Sequence, residues 1–259
     1  MLSLSNNRFI LLQIFLDKFE REKMQKNQGF YEKYVKRKFD IICSIMIIVC
    51  LSWLYALIAV LIKIKLGSPV LFIQSRPGKD ERIFQMYKFR TMTNQTDEKG
   101  ELLPDRQRIG KFGKMLRATS LDELPEIFNI LKGDMSMIGP RPQLIKDMVF
   151  MTERQRMRHN VVPGLSGLAQ VNGRNRISWE RKLEWDLTYI EKITFRGDIK
   201  IIFETIVHAF IKRDGITMDD MDTALDYGDY LLKTRKIGRE EYERKQELAK
   251  YIENRNLTV

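Results

Sequence analysis

Ile41 to Ile62 reads IICSIMIIVCLSWLYALIAVLI, 22 consecutive uncharged and mostly apolar positions in a chain of 259 residues. As an α-helix rising about 1.5 Å per residue, the run is about 33 Å long and sufficient to span a bilayer. It begins too late for an ordinary cleaved signal peptide and no small-residue cleavage pattern follows it, so it stays attached. Both flanks are basic: Lys33, Lys36, Arg37 and Lys38 precede the run, and Lys63, Lys65, Arg76 and Lys79 follow it. A simple crossing concentrates positive charge on one side, whereas a helix that enters and returns to the same leaflet keeps both flanks cytoplasmic. The charge pattern therefore predicts a re-entrant membrane helix over residues 34–66. An ordinary span and a buried core helix are the competing readings. Ser52, near the middle, can favour a bend by bonding back to the helix backbone, but no proline forces one. Cys43 and Cys50 lie inside the run at a spacing that puts them on one helix face, so no disulfide framework is expected.

Upstream, FILLQIFL at 9–16 is too short to span and reads as a surface helix or a leader. Downstream, SPVLFIQ at 68–74 and RIFQMYKF at 82–89 read as short strands of a β-hairpin, with Arg76-Pro77-Gly78 suited to the turn. Between Arg76 and Arg117 stand eleven basic and six acidic residues, giving a positive surface suited to phosphates or anionic lipid. SLDELPEIFNILK at 120–132 carries Leu121, Leu124, Ile127, Phe128 and Leu131 at helical spacing, with Gly133 placed to end the helix. Two further amphipathic helices are expected at 178–193 and 198–212. From Asp214 to Asp229 there are six aspartates and no basic residue, which predicts a solvated loop, and GREEYERKQELAKYIENR reads as a charged helix.

Asp122 and Glu123 are the candidate chemical pair. Ser120-Leu-Asp-Glu123 also fits a capping box, so Glu123 can simply satisfy backbone amides while Asp122 answers the helix macrodipole. The same local field favours phosphate, an ionised Asp can attack phosphorus, and an adjacent Glu can hold Mg2+. Gly139-Pro140-Arg141-Pro142 presents an arginine on a stiff backbone, suited to bidentate phosphate contact. Pro163-Gly164-Leu165-Ser166-Gly167 and Gln170-Val171-Asn172-Gly173-Arg174 form a glycine-interrupted loop that ends in another arginine.

Lys and Arg number 45 against 34 Asp and Glu, a net charge of +11 that favours an anionic partner. Only His159 and His208 are available, so a histidine-rich zinc site cannot be assembled and oxygen-held Mg2+ is the better expectation. Charge alone would admit nucleic acid, but there is no recognition motif and the long apolar run counts against it.

Taken together, KRKFDIICS at 36–44, QSRPG at 74–78, YKFRTM at 87–92, SLDELPEIFNILKGDMSMIGPRP at 120–142 and PGLSGLAQVNGRN at 163–175 resemble the bacterial sugar transferases, also called monotopic phosphoglycosyl transferases. The resemblance covers most of residues 34–212, in the family's order. It implies a small membrane-associated α/β domain with a re-entrant helix, a short β-hairpin and several amphipathic helices, working at the cytoplasmic face of the bacterial inner membrane. The corresponding division is a leader at 1–33, the membrane helix at 34–66, a catalytic domain at 67–212 and a charged appendage at 213–259. The implied reaction carries a sugar 1-phosphate from a UDP-sugar to polyprenol (undecaprenyl) phosphate through a covalent phosphosugar-Asp intermediate. UMP is released, and the product begins glycan assembly at the membrane. By resemblance, Asp122 is the nucleophile and Glu123 assists Mg2+. Pro140, Arg141 and Pro142 lie near the nucleotide diphosphate, Arg174 contacts phosphate, and Lys88 and Arg90 are further substrate-binding candidates. Implied partners are the UDP-sugar, polyprenol phosphate, membrane lipid and downstream glycosyltransferases. Many members break the membrane helix at a Ser-Pro pair, where this chain has Ser52-Trp53. The competing reading is a non-catalytic membrane scaffold of a polysaccharide assembly complex.

Overall fold

The structure is a computed structural model that describes residues 29–173, 177–208 and 225–257. The apolar run at 9–16 therefore lies outside the described residues.

A π-helical turn, Tyr31–Val35, leads into helix α1, Lys36–Lys65. No Gly or Pro interrupts this stretch, and nothing competes with the intrahelical ladder. Ser52 Oγ donates to Val49 O at 3.0 Å, yet the helix continues through it, so the break expected of a re-entrant segment is absent. One face of α1 is docked along its whole length. Near its start, Lys36 Nζ lies 2.5 Å from Asp198, Arg37 donates to Ile130 O and Leu131 O, and Asp40 accepts from the Met137 amide at 2.9 Å. In the middle, Ile47 and Ile48 pack on Met86, Ile127, Ile130 and Met135. Near the end, Tyr55 donates to Leu124 O at 2.7 Å while Ile58 and Ile62 are buried against Phe89 and Leu116. The opposite face carries Ile42, Ile45, Met46, Val49, Trp53, Leu57, Val60 and Ile64, exposed by 48% to 74%. A helix with one seated side and one bare apolar side is neither a buried core helix nor an isolated span.

Strands β1, Leu71–Pro77, and β2, Ile83–Phe89, form the expected antiparallel hairpin, in register from Leu71↔Phe89 to Pro77↔Ile83. The reversal lies later than Arg76-Pro77-Gly78. Pro77 ends β1, where a missing N–H costs no ladder bond, and Gly78–Arg82 make the turn with Asp80 and Glu81 at φ 53° and 60°. After α2, Lys111–Ala118, the expected helix over 120–132 is divided. Leu121–Glu123 form a 3-10 turn and α3 spans Glu126–Lys132, closed by Gly133 at φ 102°. Pro125 is the cause, because it has no N–H to carry the ladder across the join.

Strand β3, Ser136–Ile138, pairs in parallel with β4, Gly164–Ser166, which the sequence reading did not foresee. Helices α4, Trp179–Glu191, and α5, Phe195–Val207, begin at side-chain caps from Ser178 and Thr194. They bury Leu187, Tyr189, Ile190 and Ile201 beside Ile138 and Met157. Most of the acidic segment lies in residues 209–224, outside the described residues, but its end is helical: Tyr227–Lys233 form α6, with Tyr227 and Leu231 buried against Phe150, Trp179 and Leu183. Helix α7, Arg239–Leu257, seats Ala249 against Ile145 and Met148. The described part of the appendage, from residue 225, is therefore docked on the body.

Candidate active site

Ser120, a serine at φ 54°, turns the chain out of α2 into the 3-10 turn that bears Asp122 and Glu123. This left-handed conformation is uncommon for a residue with a Cβ. The capping box is not formed: Ser120 makes no side-chain cap, and the Glu123 carboxylate turns away from the backbone toward two cations. Lys88 Nζ, from β2, lies 2.8 Å from Glu123 Oε1 and 3.2 Å from Glu126 Oε1. Arg141 donates to the same Glu123 oxygen through Nη2. A hairpin strand, the 3-10 turn, α3 and the loop after β3 thus converge on one cluster of alternating charge.

The two adjacent acids differ in surroundings. Asp122 is 9% exposed, and its carboxyl is pushed up to about 6 by burial and by the Glu123 charge, against the pull of Lys88, Arg117 and Arg141. For Glu123, burial alone would raise the value, but Arg141 and Lys88 hold it well below the usual carboxylate range. Glu126, buried and beside the Glu123 charge, is pushed up to about 7. At neutral pH, then, Asp122 is mostly ionised and, among the described residues, not locked in an ion pair, which is the state a nucleophile needs.

Arg141 stands between two prolines. Pro140 O accepts from the Gly164 amide at 3.0 Å, so this loop leans on β4. The approach is close enough that a Cβ on Gly164 would sit 2.0 Å from the Gly139 nitrogen, which explains the glycine. The Pro-Arg-Pro and Pro-Gly-Leu-Ser-Gly motifs, 20 or more positions apart in sequence, are therefore one structural unit.

Among the residues chosen from sequence, Lys88, Asp122, Glu123 and Arg141 are brought together, with Pro140 and Pro142 holding the last of them. Arg174 lies outside the described residues. Arg90 is committed elsewhere: it is 6% exposed, donates to Ser68 O at 2.9 Å and to Leu66 O, and so caps the end of α1. None of its hydrogen bonds reaches the carboxylates, and its expected substrate role has no support in this geometry. Glu126 and Arg117 were not singled out from sequence. Glu126 stands three positions after Glu123, a spacing that returns it to the same side of the turn, so the signal existed.

Among the described residues no three His, Cys, Asp or Glu side chains converge as a metal cage. Mg2+ commonly takes one or two carboxylates and completes its shell with water and substrate phosphate. Glu123 fits that arrangement, as one carboxylate of a site completed by a bound diphosphate, sharing its charge with Lys88 and Arg141.

The sequence signature described as bacterial sugar transferase matches residues 31–212. The chain is 44% identical over 190 residues to a Bacillus subtilis protein named uncharacterized sugar transferase EpsL, covering 73% of this chain and 94% of that one. It is 39% identical to a UDP-glucose:undecaprenyl-phosphate glucose-1-phosphate transferase of Klebsiella pneumoniae, covering 69% of this chain and 40% of that protein. It is 35% identical to an undecaprenyl-phosphate galactose phosphotransferase of Salmonella typhimurium, covering 71% of this chain and 42% of that protein. The chain thus spans nearly all of the first relative and about two fifths of the other two.

Proposed function

Since this chain belongs to the bacterial sugar transferase family, we propose that it transfers a sugar 1-phosphate from a UDP-sugar to undecaprenyl phosphate, with Asp122 as the covalent nucleophile. The observation that carries the reading is the Asp122 carboxylate, which among the described residues makes no direct ion pair, beside Lys88, Glu123 and Arg141.

In the first half-reaction an Asp122 oxygen forms a bond to the sugar-linked phosphorus. The bond from that phosphorus to the bridging oxygen breaks, and its electron pair leaves with UMP. In the second, a phosphate oxygen of the polyprenol carrier attacks the same phosphorus and the Asp122 carboxylate is released. Arg141 and Lys88 supply positive charge where the phosphoryl oxygens gather negative charge, and Arg141 can take two oxygens at once. Glu123 would hold Mg2+ together with the diphosphate, and the ion would supply further neutralisation of those oxygens.

The docking of α1 supports work at one membrane face. Both of its ends are fastened to the same body, so the polar domain need not be divided between two sides of a bilayer. With basic flanks at each end, the favoured setting is the cytoplasmic face of the inner membrane, where the lipid-linked product would pass to downstream glycosyltransferases of exopolysaccharide or capsule assembly.

The test is a panel of UDP-sugars with undecaprenyl phosphate, scored by UMP formation, together with brief exposure to sugar-phosphate-labelled donor in the absence of acceptor. Label on the protein that disappears when acceptor is added is the expected result. Asp122→Asn should retain the fold and lose both label and turnover; near-normal turnover by that variant would overturn the nucleophile assignment. A membrane scaffold without activity would release no UMP with any donor.

A further inference from the structure

Three successive carbonyls of the loop that carries Arg141 are each held from a different element. Pro140 O accepts from the Gly164 amide of β4, Arg141 O accepts from Arg158 Nη2 at 2.5 Å, and Pro142 O accepts from Arg76 Nη1 of β1 at 3.3 Å. Neither proline can donate, so the loop has few bonds of its own to make. Of the three anchors, Arg158 is the one that grips Arg141 itself.

Arg158 is 1% exposed, an entire guanidinium placed in the interior. Its Nε lies 2.9 Å and its Nη2 2.7 Å from Asp186 Oδ2, on the buried side of α4 between Leu183 and Leu187. Its Nη1 lies 3.5 Å from the ring of His159. A buried ion pair of this kind is weak evidence for stability, because apolar residues of similar volume commonly replace such pairs without loss. What the pair does provide is direction. Asp186 fixes the guanidinium plane, and the remaining donor ends on the carbonyl of the residue whose own side chain meets Glu123.

We infer that Arg158, oriented by Asp186, is a positioning residue that fixes the backbone of Arg141 so that its guanidinium is aimed at the donor diphosphate. The inference rests on the proposed function for the identity of that ligand, whereas the hold on the loop is independent of it. Arg158 touches no substrate; it acts through the main chain of a residue that does.

The decisive variant is Arg158→Met with Asp186→Leu, which removes both charges together and leaves neither orphaned. Three measurements are needed on purified full-length protein: thermal stability, amide hydrogen exchange over residues 139–144, and binding of UDP with and without Arg141→Ala. The expected result is a folded protein with faster exchange in 139–144 and UDP binding weakened about tenfold, the size of a 1.4 kcal/mol loss. Adding Arg141→Ala should weaken binding little further, since both changes disable one contact. A folded double variant with wild-type exchange in the loop would overturn the inference, as would full additivity with Arg141→Ala. If the double variant does not fold, Asp186→Asn is read by the same measurements, because it leaves the guanidinium but removes the charge that orients it. A wild-type protein that does not bind UDP would overturn the functional reading, and the exchange result would then decide the hold on the loop by itself.

Discussion

Lys88 occupies a position whose importance is greater than its motif suggests, because it stands between Glu123 and Glu126 and pairs with both. Lys88→Met would leave two closely placed acids with one fewer compensating charge. Lys88 is half-buried and Glu126 fully so, and losing a charged hydrogen-bond partner costs on the order of 1–3 kcal/mol, a loss that should appear in denaturant unfolding. Glu126→Gln in the same background should recover part of it, while turnover stays low because the phosphate site has lost a cation. Recovery is the informative outcome; if Glu126→Gln makes the variant less stable still, Lys88 does not serve both acids. At this scale the sequence disclosed the adjacent acids and the arginine between prolines, since each is a local pattern. It did not disclose Glu126's partner, which comes from a strand nearly 40 positions upstream, nor that Arg90 would end on the carbonyls of Leu66 and Ser68. Such pairings are set by packing, and no local spacing encodes them.

The elements repeat the lesson with different causes. The apolar run made α1 legible, and basic flanks suggested that its two ends share a side, but composition could not show that one face would be fastened from Lys36 to Ile62. Val49→Glu with Trp53→Glu places two charges on the bare face and none against the body. Melting in detergent should therefore change little, whereas sedimentation with phospholipid vesicles should fall by about tenfold or more, given the cost of charge in hydrocarbon. Unchanged sedimentation would show that this face is not the one in contact with lipid. At the tip of the hairpin, Glu81 is met by Arg156, with Nε at 2.6 Å, and by His159. Burial alone would raise its carboxyl, yet Arg156 and His159 hold it down to about 2 from the usual 4.5. Its folded value is below its unfolded one, so the stabilisation is complete above the unfolded value and is lost as pH falls toward 2. The gap in melting temperature between wild type and Glu81→Gln should therefore be constant above about pH 5 and close on further acidification. A gap that widened in acid would contradict the pairing. The displaced hairpin turn and the helix divided at Pro125 were readable only in part: proline marks where a ladder cannot continue, but tertiary contacts decide which side of it the chain turns.

For the molecule as a whole, residues 225–257 lie beyond the family match yet close over its surface. The Tyr227 amide donates to Asp147 Oδ1 at 2.8 Å, the other oxygen of Asp147 accepts from the Leu144 amide, and the Trp179 indole donates to Leu225 O. A chain stopped after Ala224 would uncover Phe150, Trp179, Ile145 and Met148 and leave Asp147 without one of its amide donors. It should melt several degrees lower and bind a hydrophobic dye before unfolding; a truncated protein as stable as the full chain would show that the docked helices contribute nothing. The tail looked detachable in the sequence because charge dominates it. Tyr227, Leu231, Tyr242 and Ala249 are too few to raise its mean hydropathy, but they fall where two helices can press them inward.

The double fastening of α1 has a mechanical corollary. In the proposed setting the helix cannot sink or rise alone, so the immersion depth chosen by Ile42 through Ile64 also fixes the height of Asp122 above the hydrocarbon. In that setting the protein would behave like a hull with a fixed waterline: a lipid-borne phosphate would arrive at the level of Asp122 by diffusing sideways, with no need to be lifted from its leaflet.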